Sequence, residues 1–128
     1  MFSHIKISAI LVGLFIHVLT GILFFALIYF VFGHAEEGKN NVAVSISIPL
    51  VFLLLISRIL IYLAIGFITA KIAKTQPLLH GFICGCLAVC FNFTFVSYSL
   101  FTMFLSLPTI LTGAWLYKIQ ASKNAQNT

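Results

Sequence analysis

Residues 78–117, LLHGFICGCLAVCFNFTFVSYSLFTMFLSLPTILTGAWLY, run for 40 positions from Leu78 to Tyr117 without a charged side chain. As one α-helix the stretch would be about 60 Å long at ~1.5 Å per residue. That is about twice the hydrocarbon thickness of a bilayer. One helix cannot use such a length, so the stretch reads as a helical hairpin. Its turn is expected near Ser97-Tyr-Ser-Leu-Phe-Thr102, dividing it into helices over about 78–97 and 101–117. Pro108 is the rival turn, but it would leave only about ten residues for the last crossing, too few to span. It reads instead as a kink inside the fourth helix. Pro77 suits the first turn of the third helix, where a missing N–H leaves no bond unmade.

Two further apolar runs precede the hairpin. Residues 7–32 carry no charge and are long enough to cross a membrane with tilt. Residues 45–70 are interrupted by Arg58 alone. Between these runs lies the polar segment Gly33–Asn41, with Glu36, Glu37 and Lys39. A basic loop, Lys71-Ile-Ala-Lys74-Thr-Gln-Pro77, joins the second run to the third. Beyond Lys118, residues 119–128 are polar and read as a fraying tail. The expected fold is an all-α, integral membrane four-helix bundle of two hairpins, forming one domain over residues 1–118.

Composition points the same way. Of 128 residues, 62% are hydrophobic and 7% charged, against about 25% charged in soluble domains. A polar shell cannot be assembled from so few charges. Seven basic and two acidic residues give a formal net charge of +5. The basic residues are single and scattered, with no basic stripe, so nucleic acid is not an expected partner. Four crossings place Lys6, Lys71, Lys74, Lys118 and Lys123 on one side, and Lys39, beside both acids, on the other. The positive-inside rule then expects both termini in the cytoplasm, and the bacterial inner membrane is the expected location. Trp115 and Tyr117 near the inner face, and Tyr29 and Tyr98 near the outer, suit interfacial belts. Gly33-His-Ala35 has the look of a signal-peptide cleavage site, but the preceding run far exceeds the roughly 7–15-residue core of such a signal.

Arg58 is the costly residue. It lies about twelve residues from either end of its run, roughly 18 Å deep. An arginine at the centre of a spanning helix costs about 2.5–3.5 kcal/mol on insertion scales, and no acid occurs in any apolar run. Three remedies are open: oxygens of the protein itself, an acid on a partner subunit, or a bound anion. Counted from the inner boundary, His17, Asn92, Ser106 and Thr109 share its depth, with Thr20 and Ser57 close by. Arg58, His17, Asn92 and Thr109 are therefore the candidate binding residues. Small residues flank them at helical spacing, namely Gly13 and Gly21 around His17, Gly85 and Ala88 before Asn92, and Gly113 after Thr109. Such faces let membrane helices approach closely. On the second helix Arg58 shares its stripe with Tyr62 and Gly66. His80 is expected to face the inner interface.

Cys84, Cys86 and Cys90 lie in one apolar stretch. Cys86 and Cys90 share a helix face, but soft-metal sites need about three or four converging ligands, so packing is the expected role. No metal or cofactor is expected. The sequence holds no Walker loop, HExxH, nucleophile elbow or carboxylate pair, and no enzymatic activity is expected.

The stretch Gly66–Gly85, GFITAKIAKTQPLLHGFICG, resembles the central hinge of small bacterial four-helix membrane proteins of unknown function. There a glycine-rich helix end, an Ile-Ala pair between basic residues and a His-Gly start join helices two and three. The resemblance implies the same topology and no activity. Gly81–Gly85 and Phe93-Thr-Phe95 are also similar to pieces of the third helix of small fluoride channels. Here, however, the pieces are separated, and the threonine-rich break and the helix-two Asn are missing. Small multidrug exporters share this size but use a membrane Glu in helix one, which this chain lacks. The expected role is that of an accessory or interaction subunit in the lipid bilayer, as a homo-oligomer or with a membrane partner. A toxin-immunity protein and a small anion channel or transporter built on Arg58 are the alternatives.

Overall fold

The computed structural model describes residues 5–33, 48–95 and 100–126. Within them the chain is entirely helical, with four helices: α1 (Ile7–Gly33), α2 (Ile48–Ala73), α3 (Pro77–Phe95) and α4 (Leu100–Gln126). The acidic segment with Glu36, Glu37 and Lys39, residues 45–47 of the second run, and residues 97–99 of the expected turn, including Tyr98, lie outside the described residues. Two stretches, Ile7–Leu27 in α1 and Phe52–Ala73 in α2, are long and apolar enough to cross a membrane.

The helix ends follow local chemistry. Pro77 opens α3, and its missing N–H falls where no intrahelical bond is due. α2 runs on to Ala73, three residues past the expected end, and stops at an αL cap. There Lys74 has φ 58° and its N–H donates to the Ala70 carbonyl at 3.1 Å. Leu100 already belongs to α4, so the last three residues of the expected turn are helical. α4 passes through Pro108 without a break. It also continues to Gln126, so residues 119–126 are helix where a fraying tail was expected. Ile-Gln-Ala-Ser-Lys-Asn-Ala-Gln is mostly composed of good helix formers, and Lys123 in the last turn suits the negative end of the helix.

α2, α3 and α4 pack against one another, and α1 lies across α2 and α3. Among the described residues α1 does not touch α4. The α2–α4 crossing is a backbone contact. A Cβ on Gly66 would run into the Ile110 carbonyl, and a Cβ on Gly113 into the Leu63 carbonyl. Only glycine permits that approach from both sides.

The core is built on Tyr62, Ile65 and Ile110, and the other buried residues are mostly small or polar. Ala9, Ala70, Ala73, Cys84, Ala88 and Ala114 are buried, as are His17, Thr69, His80, Asn92, Ser106 and Thr109. Large apolar side chains point outward, among them Leu11, Phe15, Ile22, Phe52, Leu60 and Phe104. Five exposed lysines gather at one end. Lys71 and Lys74 close α2 beside the start of α3, and Lys6 bonds to His80 there. Tyr117, next to Lys118, lies edge-on to Phe67 near the end of α2, with ring centroids 5.5 Å apart.

Candidate functional site

Polar contacts follow one another along the seam between α1 and its two neighbours. At the lysine-rich end, the Lys6 N–H donates to Nε2 of His80 at 2.9 Å. Further along, Gly13 lies against Thr69 and Cys84, and the Thr69 hydroxyl points to the Cys84 sulfur at 3.8 Å. Next, His17 and Asn92 meet, with Nε2 3.2 Å from Oδ1. The Arg58 guanidinium then lies over the Phe24 ring, 4.8 Å from its centroid.

The spacings agree with regular packing. From Gly13 to Phe24 is 11 residues, and the partner positions on α2, Thr69 and Arg58, are also 11 apart, so α1 and α2 run antiparallel in register. From Lys6 to His17 is 11 residues, and from His80 to Asn92 is 12, so α1 and α3 run parallel. The seam from Lys6 to Phe24 therefore covers roughly 27 Å at helix rise.

Tyr62 is the centre of the deepest part. It is 2% exposed. Its hydroxyl accepts from Arg58 Nη1 at 2.9 Å, and its ring stacks on His17 with centroids 5.7 Å apart. Phe91 meets the His17 ring edge-on at 6.0 Å. Three helices thus contribute to one chain of contacts, Arg58–Tyr62–His17–Asn92. The Asn92 amide is not fully used: Nδ2 is buried and has no hydrogen-bond partner among the described residues. Such a group costs about 1–3 kcal/mol when left unmet.

The structure brings Arg58, His17 and Asn92 together. Thr109 is buried and makes no hydrogen bond to these three. Thr109 is on α4, which α1 does not touch, and its hydroxyl donates to the Leu105 carbonyl of its own helix at 2.6 Å. Thr20 and Ser57 likewise bond to carbonyls on their own helices. Ser106 is fully buried. Tyr62 and Phe24 are the residues that depth counting missed. Tyr62 was visible as the i+4 neighbour of Arg58, the spacing at which helical side chains meet.

His80 has a different place from the one expected. It is fully buried rather than turned to an interface. Because Nε2 accepts the Lys6 N–H, the ring proton sits on Nδ1, which donates to the Gln76 carbonyl at 3.0 Å. One imidazole thereby satisfies an orphan N–H at the start of α1 and ties down the residue that precedes α3. None of the three cysteines is in a disulfide, and their thiols differ in exposure: Cys84 is buried, Cys86 half-buried and Cys90 exposed. No group of three or more metal-ligating side chains forms among the described residues.

No family model, curated protein or solved structure matches the chain.

Proposed function

We propose that this chain is a multi-pass integral membrane protein with both termini on the cytoplasmic side, acting as a non-enzymatic accessory or interaction subunit of a bacterial inner membrane. One observation carries the membrane reading. In the most apolar windows of α1 and α2, only 17% and 22% of the residues are buried inside the fold. The core helix of a soluble protein would be mostly buried, and a signal sequence would account for α1 but not for α2. Many large apolar side chains lie outside, while several polar ones, among them His17, Thr69, His80 and Asn92, are buried.

The lysine-rich end supports the orientation. Five of the seven basic residues cluster there, which the positive-inside rule assigns to the cytoplasm. The hinge with the Gly66–Gly85 resemblance lies at that same end. The subunit role is supported by α1, which presents a broad apolar face away from α2 and α3.

Fractionation and reporter fusions test this. The chain should stay in membranes washed at alkaline pH. A fluorescent-protein fusion at the C-terminus should glow, and alkaline phosphatase inserted at residues 34–47 should be active. Release by the alkaline wash would sink the membrane reading, and an active phosphatase fusion at the C-terminus would reverse the orientation. Capture of one stoichiometric membrane partner is expected for the subunit role. A chain that always purifies alone would count against it.

A further inference from the structure

Arg58 turns one edge of its guanidinium away from the packed core. Nη1 donates to the Tyr62 hydroxyl at 2.9 Å, the side chain's one hydrogen bond among the described residues. Asn92 Nδ2 is the one sealed side-chain polar atom without a partner among those residues. Nε and Nη2 of the half-buried Arg58 are therefore unbonded and accessible. Together they form one side of the planar fork, which a carboxylate takes up through two parallel bonds.

The packing opens at the same level. Gly13, His17, Gly21 and Phe24 share one face of α1. At Gly13 that face is closed, since a Cβ would strike Thr69 and Cys84. A Cβ at Gly21 would meet none of the described residues within 4 Å. One turn further on, Phe24 lies against the guanidinium. The side chains most exposed around this level are apolar: Ile22, Leu23 and Phe25 on α1, and Ile56 and Leu60 on α2, are each more than half exposed.

We infer that this face, α1 from Gly21 to Phe25 with Arg58 of α2, docks a membrane helix of a different protein, whose aspartate or glutamate at mid-depth pairs with Nε and Nη2. The inference rests on the membrane and subunit reading above, because Arg58 needs a carboxylate only where water is excluded. A second copy of this chain does not qualify. Its apolar runs hold no acid, and side by side it would bring another Arg58 to the same depth, where like charges repel. A lipid phosphate does not come so deep. Arg58 is ten residues past Ile48, where α2 begins, about 15 Å along the helix and beyond the reach of its side chain.

The test places the full chain in lipid vesicles with a photo-crosslinking residue in place of Ile22. The probes are synthetic polyleucine membrane helices that differ only in a central Glu or Gln. The Glu helix should crosslink about tenfold more strongly, the margin of a charged over a neutral hydrogen-bonded pair. Arg58→Leu should abolish that preference, and Arg58→Glu should transfer it to a helix with a central Lys. Gly21→Leu should fold, because open space adjoins it, and should block the Glu helix, so the site stays testable if the Arg58 variants do not fold. Equal crosslinking of the Glu and Gln helices overturns the pairing. So does a Glu preference that survives Arg58→Leu or Gly21→Leu. Crosslinks only to a second copy or to lipid, with the Glu helix present, also overturn it. A chain that resists the alkaline wash and whose Arg58→Leu variant captures its native partner as well as wild type keeps the subunit role and refutes this site alone. A chain released by the wash refutes the membrane reading as well.

Discussion

The backbone N–H of Lys6 donates to Nε2 of His80 at 2.9 Å, across 74 residues of chain. The same ring donates through Nδ1 to the Gln76 carbonyl, so one buried side chain joins the start of α1 to the start of α3. Removing it leaves an N–H, a carbonyl and a cavity. His80→Ala should lower stability by about 2–4 kcal/mol, and cleavage near the N-terminus by added protease should accelerate. An unfolding temperature equal to that of wild type would show that the imidazole contributes nothing.

The α2–α4 contact should tolerate no side chain. Gly66→Ala presses a methyl group on the Ile110 backbone, which cannot rotate away, and should cost about 1–3 kcal/mol. Gly21 is the control. A Cβ there meets nothing within 4 Å, so Gly21→Ala should be neutral or stabilising by up to about 1 kcal/mol through helix propensity. Parallel melts of the two variants check the contrast, and equal effects would contradict it.

The α2 cap carries strain that glycine would relieve. Lys74 sits at φ 58°, a left-handed conformation that costs an L-residue roughly 1–2 kcal/mol. Lys74→Gly should stabilise the chain by up to about 1 kcal/mol, part of the gain being lost to the freer unfolded chain. Destabilisation in a denaturant titration would mean that the lysine side chain outweighs the backbone term.

Arg58 and Tyr62 should prove coupled. Tyr62→Phe takes away the hydroxyl that receives the guanidinium and should cost about 1.5–3 kcal/mol, as for hydrogen bonds to charged groups. In Arg58→Leu the same hydroxyl has less to do. The double variant should therefore lose at least about 0.5 kcal/mol less than the two single losses added together. Strict additivity would mean that the contact carries no energy.

The four helices were legible because an uncharged 40-residue stretch is too long for one crossing, and Pro77 marks a helix start by its chemistry. The site was only half legible. Counting residues gives the depth of His17, Asn92 and Thr109, but not which neighbour each helix face meets. Thr109 lies on α4, which among the described residues packs on α2 and α3 and not on α1, an arrangement that depth alone does not give. Hydroxyls such as those of Thr109 and Thr112 also bond to carbonyls one turn back, a use that no spacing reveals. His80 was misplaced for a related reason. Its partner is a backbone N–H, which every residue but proline possesses and which therefore leaves no trace in a sequence. The helix beyond Lys118 is hidden by its polarity, although its Ala, Gln and Lys favour helix.

The contact between His17 and Asn92 spans 75 positions, and that separation has a meaning in time. A ribosome adding roughly 5–20 residues per second makes His17 about 4–15 seconds before its partner exists. For the first 45 of those positions neither Tyr62 nor Asn92 exists, and for the remaining 30 Asn92 alone is missing. The first helix to be made therefore waits for α3, the third, before its histidine is paired.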